Sequence, residues 1–258
     1  RIGLVDSYTY IGDPAFYDLP VEEMISDEFA AERAALIDMD NMQAMESVPL
    51  SDLPVTKLEP TAEESQHTTH IAVIDQYGNI VSTTNTLGNG WGCKFMAPGL
   101  GFFYNSHIGN LDHENPDSPD YVMPGKRVRS TISPSLVLQD GNPIMAVGSP
   151  GSLAIPPAVA TIINNVLLYG MNVQQAINEP RAMAINRSGM DSPARVSIEQ
   201  PRFDPDLVAQ MEGIGYEMKD VGEYNMAVGG IAAIYLDRDN GIFYAGADPR
   251  RGYKALAY

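Results

Sequence analysis

Cysteine is nearly absent. Cys93 stands alone in 258 residues. That excludes an internal disulfide and leaves the compartment open, because exported proteins need not carry disulfides. Positive charge is scarce too: 16 Lys and Arg face 33 Asp and Glu, for a net charge of −17. Such a surface repels phosphate backbones, so no nucleic-acid partner is expected, and the excess acid reads as a solubilising surface. No apolar run reaches the roughly 20 residues of a membrane helix. The longest, residues 154–169, is interrupted by Pro156, Pro157, Asn164 and Asn165, so no membrane partner is expected. Histidine is limited to four residues. His107 and His113 lie near Asp112 and Glu114, but without a repeated ligand spacing, and the segment reads as a solvated acidic loop, not a metal site. The glycines of 88–92 lack the Lys-Ser/Thr of a phosphate loop, so no cofactor is expected. No methionine opens the chain and no signal peptide is visible. Arg1 stands inside what reads as a folded segment, which points to a piece of a longer or processed protein.

What is present supports a core. Hydrophobic residues make up 44% and charged residues 19% of the chain, in a length suited to one large domain or two small ones. Phe29, Ala30, Arg33, Ala34 and Ile37 fall at helical spacing within 21–38. Residues 40–67 are acidic, carry Pro49, Pro54 and Pro60, and read as an exposed linker. The texture then changes abruptly. Residues 69–75 and 80–86 predict a hairpin about Tyr77-Gly78-Asn79, and the apolar run Ile71 to Ile74 predicts that both faces of its first strand are buried. Residues 88–101 form a glycine-rich loop, and 112–120 an acidic segment that loops out. Residues 134–139 and 143–148 predict a second hairpin. Helices are expected over 156–169, closed by Gly170, over 173–178, and over 204–212 with Asp204 as N-cap. A last hairpin spans 228–236 and 242–245. Grouped hairpins and helices predict an α+β layered domain with antiparallel sheets.

The chemistry centres on Thr68-Thr69-His70, where linker meets buried strand. If the chain were cut before Thr68, its hydroxyl would become a nucleophile and its own α-amine the base. Such an amine has a pKa of about 7.7–8.0, suited to taking a proton near neutrality.

The surroundings carry a resemblance. Thr68-Thr69-His70, Val73-Ile74-Asp75, Gly78-Asn79, Thr84-Asn85-Thr86-Leu87, Ala97-Pro98-Gly99, Gly101, Asn105, Ser130 to Pro134 and Gly148-Ser149-Pro150-Gly151 follow in an ordered series. Tyr169-Gly170-Met171-Asn172, Pro180-Arg181 and Asp248-Pro249-Arg250 continue it. The series resembles the γ-glutamyltranspeptidase family from Thr68 to the C-terminus, and Gly12-Asp13-Pro14 with 33–38 resembles the end of that family's large subunit. The resemblance implies the four-layered αββα sandwich of N-terminal nucleophile hydrolases. It also implies a precursor that cuts itself, here at His67–Thr68, and two segments: 1–67, the end of a large-subunit-like region with its acidic linker, and 68–258, a small-subunit-like catalytic region. The missing large-subunit portion is then a structural partner, and a γ-glutamyl or related amide the substrate.

Carried over by position, Thr68 is the nucleophile and Thr86 the hydroxyl that tunes it. Gly151 and Ser152 supply the oxyanion amides, a pair that contributes on the order of 3 kcal/mol to such reactions. Ser130 and Thr131 grip the substrate α-carboxylate. The glutamyl-recognition shell departs from the family's pattern. Gly88 stands for an asparagine, Asn110 for the aspartate that holds the α-ammonium (Asp112 follows two residues on), and His107 for a glutamate or glutamine. Ser152 stands for the second glycine. The family's carboxylate-binding arginine lies upstream of Arg1. Three readings follow: a γ-glutamyl hydrolase or transferase, an amidase or acylase with another acyl group, or a silent relative that never matures.

Overall fold

A computed structural model describes residues 2–42, 67–184 and 195–257. The expected acidic linker therefore lies almost wholly outside the described residues. The segment before it folds as α1 (Ile2–Tyr10), α2 (Val21–Met24) and α3 (Asp27–Ala34). The single helical stretch expected over 21–38 is broken in two because the Ser26 hydroxyl accepts from Phe29 N and caps a fresh start. Buried Asp6 pairs with buried Arg33 to join α1 to α3. Buried Asp13 accepts from Arg127 N at 2.7 Å, tying this segment to the downstream chain.

Downstream, β1 (Thr68–Ile74) and β2 (Ile80–Thr86) form the expected hairpin. Its turn is set by Asp75, whose carboxylate accepts from Tyr77 N and Asn79 N, and by Gly78 at φ +84°. The strands β3 (Ser135–Gln139), β4 (Asn142–Gly148), β8 (Ala232–Asp237) and β9 (Ile242–Ala247) make an antiparallel sheet in the order β3-β4-β8-β9. Helices α4 (Ile155–Leu167) and α5 (Val173–Asn178) cover one face of that sheet, and the β1–β2 hairpin lies on the other. This explains why Ile144 to Val147 read as an unbroken apolar run: β4 is covered on both faces.

α4 begins with Pro156 and Pro157 in its first turn, where their missing N–H groups cost nothing. Ile155, Ala158, Val159, Ile162 and Val166 form its buried stripe, and Gly170 follows at φ +66°. α5 carries a reciprocal cap between Asn172 and Gln175. A third sheet joins β5 (Ala182–Met183), β6 (Arg195–Ile198) and β7 (Glu217–Asp220), with α6 (Pro205–Gly213) crossing between the last two. The β6–β7 pair is parallel, unlike the other strand pairs among the described residues, because α6 returns the chain to the same end.

Two expectations are corrected. The outer face of β1 is open: Ile71 is 53% and Val73 49% exposed, with Val81 at 52% beside them. Thr68 and His70 turn toward the main sheet, and no described element covers the opposite side. Residues 112–120 do not simply loop out. Ser118 and Asp120 are buried, Asp112 bridges to Tyr121, and Asp120 pairs with Arg129 at 3.0 Å. Charge in the sequence concealed a carboxylate held inside by a cation.

Candidate functional site

The hairpin register places Thr68 opposite Thr86. Thr68 is buried, and its hydroxyl donates to Thr86 Oγ1 at 2.9 Å. Gly88 N donates to the same Thr86 oxygen at 3.0 Å. Gly88 sits at φ +81°, and a Cβ there would meet Ser106 Oγ at 2.5 Å. That oxygen accepts from Asn89 N at 2.8 Å, so the glycine at this position fits a close crossing of two loops. The His107 ring bonds the Thr86 backbone, while its Nδ1 is buried without a partner among the described residues. Burial lowers the His107 pKa and leaves a neutral imidazole near pH 7. Thr68, Thr86, Gly88 and His107 thus form one contiguous group.

A second group gathers after β4. Gly151 stands at φ +134° and Ser152 at φ +54°, a left-handed turn that opens the α4 end of the sheet. Thr131 donates to the Ser152 carbonyl at 3.1 Å, while Ser130, exposed, accepts from Ile132 N at 3.2 Å. Gly151 lies against Gly229, where an added Cβ would come within 3.1 Å of Gly229 Cα, and Gly230 N donates to Ser149 Oγ at 3.1 Å.

Behind this turn is a buried ionic lattice. Arg181 pairs with Asp248 and donates to the carbonyls of Val228 and Gly229. Arg250 pairs with both Glu199 and Asp248. Arg202 adds a bond to Glu199 at 3.0 Å, and Asp248 accepts from Ile231 N at 2.8 Å. Burial works against the Glu199 carboxylate, and the bonds from Arg250 outweigh it, so its pKa lies below the ordinary value. The lattice fixes residues 228–231, the segment leading into β8, on which Gly151 rests. Pro180-Arg181 and Asp248-Pro249-Arg250, far apart in sequence, are partners here.

Asn110 is exposed at the end of a short 3-10 turn (His107–Asn110). Asp112, two residues on, accepts from the amides of Glu114 and Asn115 through Oδ1. Among the described residues no group of three His, Cys, Asp or Glu is placed to hold a metal ion.

A cleft of about 510 Å³ opens at Thr68, lined also by His67, Leu87, Trp91, Arg251 and Tyr253. Gly151, Ser152, Ser130, Thr131 and Asn110 do not line it. Arg251 and Tyr253 escaped sequence reasoning. Arg251 donates to the Thr68 carbonyl at 2.7 Å, and the Tyr253 hydroxyl accepts from His70 N at 3.0 Å. These two side chains lie along the edge of β1 that no strand among the described residues pairs. The only signal was their position just after Asp248-Pro249-Arg250. His70, fully buried, hydrogen-bonds Thr84 at 2.9 Å and lies against Gly148, where a Cβ would strike its ring at 2.3 Å.

The architecture, a hairpin beginning with a threonine and laid on a helix-covered sheet, is that of the N-terminal nucleophile hydrolases. A cephalosporin acylase from Bacillus halodurans matches all of this chain with a TM-score of 0.83 at 25% identity, over 43% of its own length. A Helicobacter pylori γ-glutamyltranspeptidase mutant is matched along 100% of its solved chain by 71% of this one, with a TM-score of 0.62 and 27% identity. The γ-glutamyltranspeptidase family model matches residues 1–258, and the chain belongs to that family. A glutathione hydrolase proenzyme of Bacillus subtilis (strain 168) is 28% identical over 99% of this chain. An acylase ACY 1 proenzyme of Pseudomonas sp. (strain SE83) is 34% identical over 70% of it. The chain spans 43% of the first relative's length and 30% of the second's.

Proposed function

We propose that this chain belongs to a self-processing N-terminal threonine amidohydrolase that cleaves γ-glutamyl-type amides through an acyl-enzyme. The observation that carries the reading is the Thr68–Thr86 hydroxyl pair, 2.9 Å apart, in which Thr68 opens β1 and lines the cleft and Thr86 closes β2 behind it. In maturation, Thr68 Oγ attacks the His67 carbonyl carbon. The His67–Thr68 C–N bond breaks as its nitrogen takes a proton, and water hydrolyses the resulting ester. Thr68 then carries a free α-amine, which accepts the hydroxyl proton when Oγ attacks a substrate amide. Thr86 orients the nucleophile; the family resemblance gives the developing oxyanion to the amides of Gly151 and Ser152 and the α-carboxylate to Ser130 with Thr131, none of which lines the cleft at Thr68. Residues 1–67 are the end of a large-subunit-like region and 68–258 the small-subunit-like catalytic region.

The full-length precursor should split into two chains, the smaller beginning at Thr68, and Thr68→Ala should stay whole. A mature, active sample whose small chain begins elsewhere refutes the assignment. A precursor that never splits would instead favour a silent relative.

A second reading concerns the acyl group. An α-ammonium needs an acidic partner, since an unmatched buried charge costs several kcal/mol. Asn110 is neutral, Gly88 offers no side chain, His107 is a neutral imidazole, and Asp112 Oδ1 accepts from amides of its own loop. Acylases also stand among the relatives. These features favour acyl groups without a free α-amine. The test is kcat/KM for glutaryl-p-nitroanilide against γ-glutamyl-p-nitroanilide. A glutamyl preference of about tenfold or more, near 1.4 kcal/mol, removes this second reading and leaves the first standing. Asn110→Asp should move the ratio toward the glutamyl compound.

A further inference from the structure

We propose that Gly90 and Trp91 form a platform for the acyl group of the substrate, and that the acyl group it fits carries a flat apolar ring. The proposal rests on the reading of Thr68 as the N-terminal nucleophile, and deepens it by naming the acyl class.

His67 marks the place. Its imidazole lies against Gly90, where an added Cβ would meet Nε2 at 2.7 Å, Cε1 at 3.1 Å and Cδ2 at 3.2 Å, so the glycine leaves just enough room for the ring. Trp91 lines the same cleft as His67 and Thr68. His67 is also the acyl half of the bond cut in maturation. The ester formed there joins the His67 carbonyl carbon to Thr68 Oγ, the same bond that a substrate forms in the acyl-enzyme. The ring held at Gly90 therefore lies on the acyl side of the nucleophile. Cleavage releases His67 with the upstream segment and opens that space.

Trp91 is built to face it. The residue is 68% exposed, although indole is the largest apolar side chain available. Its backbone is left-handed at φ +62°, a region that a bulky residue adopts only where its surroundings impose it. Those surroundings are specific. Gly92 N donates to the Asn89 carbonyl at 2.8 Å, Lys94 N to the Trp91 carbonyl at 2.9 Å, and Cys93 N to the Tyr104 carbonyl at 3.0 Å. Only glycine at position 92 admits that Tyr104 oxygen, which a Cβ would meet at 1.9 Å. The indole leans on Phe103, with ring centroids 5.2 Å apart at 58°. A strained backbone, a braced ring and an indole left mostly open beside the nucleophile fit a stacking surface and do not fit core packing.

Leu87 and Tyr253 give the cleft further apolar wall, and Arg251 donates to the Thr68 carbonyl. Stacking separates a flat ring from a puckered ring of the same size, because aromatic pairs gain beyond the area they bury, by about 2- to 10-fold in affinity.

The experiment uses processed full-length protein and two acyl-p-nitroanilides with one leaving group, phenylacetyl and cyclohexylacetyl. Their rings have equal numbers of carbons and differ in flatness. The ratio of kcat/KM should favour the phenylacetyl compound by about 2- to 10-fold. Trp91→Leu should bring the ratio close to one, and Trp91→Phe should keep part of it. Binding without turnover is read by fluorine NMR of protein labelled with fluorotryptophan. The Trp91 resonance, identified as the one missing from Trp91→Phe, should respond to phenylacetate at several-fold lower concentration than to cyclohexylacetate. Equal rates for the two acyl groups, a ratio unmoved by Trp91→Leu, or a Trp91 resonance indifferent to phenylacetate overturns the platform. So does a Trp91→Leu effect confined to the leaving group, seen on exchanging p-nitroanilide for methylamide at a constant acyl group. Each of these, in protein whose small chain begins at Thr68, leaves the nucleophile assignment intact. A precursor that never splits, or a small chain beginning elsewhere, removes both.

Discussion

Replacing Thr86 by valine keeps the shape of the side chain and deletes one oxygen. That oxygen serves two donors, the Thr68 hydroxyl at 2.9 Å and Gly88 N at 3.0 Å. Each neutral hydrogen bond contributes about 1 kcal/mol net, and an unsatisfied donor in a half-buried place costs about 1–3 kcal/mol. Thr86→Val should therefore lower stability by roughly 1–3 kcal/mol, and the melting temperature by about 2–4 °C per kcal/mol in a chain of this size. The effect on chemistry should be larger than the effect on folding. A nucleophile free to rotate loses orientation, and kcat should fall by roughly 10- to 1000-fold, about 1.4–4 kcal/mol of transition-state stabilisation. Thr86→Ser keeps the oxygen and should retain most activity. The assay is kcat and kcat/KM on an acyl-p-nitroanilide, beside a thermal melt of the same samples. The reasoning is refuted if Thr86→Val keeps wild-type kcat, or if the serine variant falls as far as the valine variant.

Three further outcomes follow from the same geometry. Ser152 occupies left-handed backbone at φ +54°, so Ser152→Gly should relieve strain and raise stability by up to about 1 kcal/mol, read by denaturant unfolding; a clear loss would show that the serine side chain contributes more than its backbone costs. Arg250→Met leaves Glu199 and Asp248 with a missing partner inside the protein and should cost about 3–5 kcal/mol, with precursor accumulating as insoluble or unprocessed chain; a fully stable Arg250→Met variant would show that the lattice can be replaced by apolar packing. His70 is held near 4 when folded against about 6.5 unfolded, so the unfolded chain binds the proton more readily. Stability should therefore fall as pH drops from about 6.5 toward 4, and His70→Asn should flatten that slope in pH-dependent melts; an unchanged slope assigns acid sensitivity to other groups.

Much of this was legible in the order of residues. The hairpin 68–86, the strands around Asp140-Gly141-Asn142, and the helices after Pro156, Asn172 and Asp204 are local events. Turn glycines, caps and short-period apolar patterns specify them within a few residues. The Thr68–Thr86 pair was also within reach, because an antiparallel register follows from the turn at Gly78. Other features depend on what lies across space. The openness of Ile71 and Val73 could not be read from an apolar run, because burial on the second face needs another layer. Asp120 looked like a loop charge until Arg129 was beside it. Arg181, Glu199, Asp248 and Arg250 are separated by dozens of residues, and only the tertiary structure makes them one lattice behind Gly151. The same holds for Arg251 and Tyr253, whose reach to Thr68 and His70 crosses 183 residues of chain. Sequence alone determined the hairpins and capped helices whose signals lie within a few residues, and the threonine that begins β1; it did not give α1 or the β5-β6-β7 sheet, whose strands pair across long stretches of chain. The tertiary structure decided which charges are paired and what surrounds that threonine, because electrostatic and hydrogen-bond partners are set by distance in space.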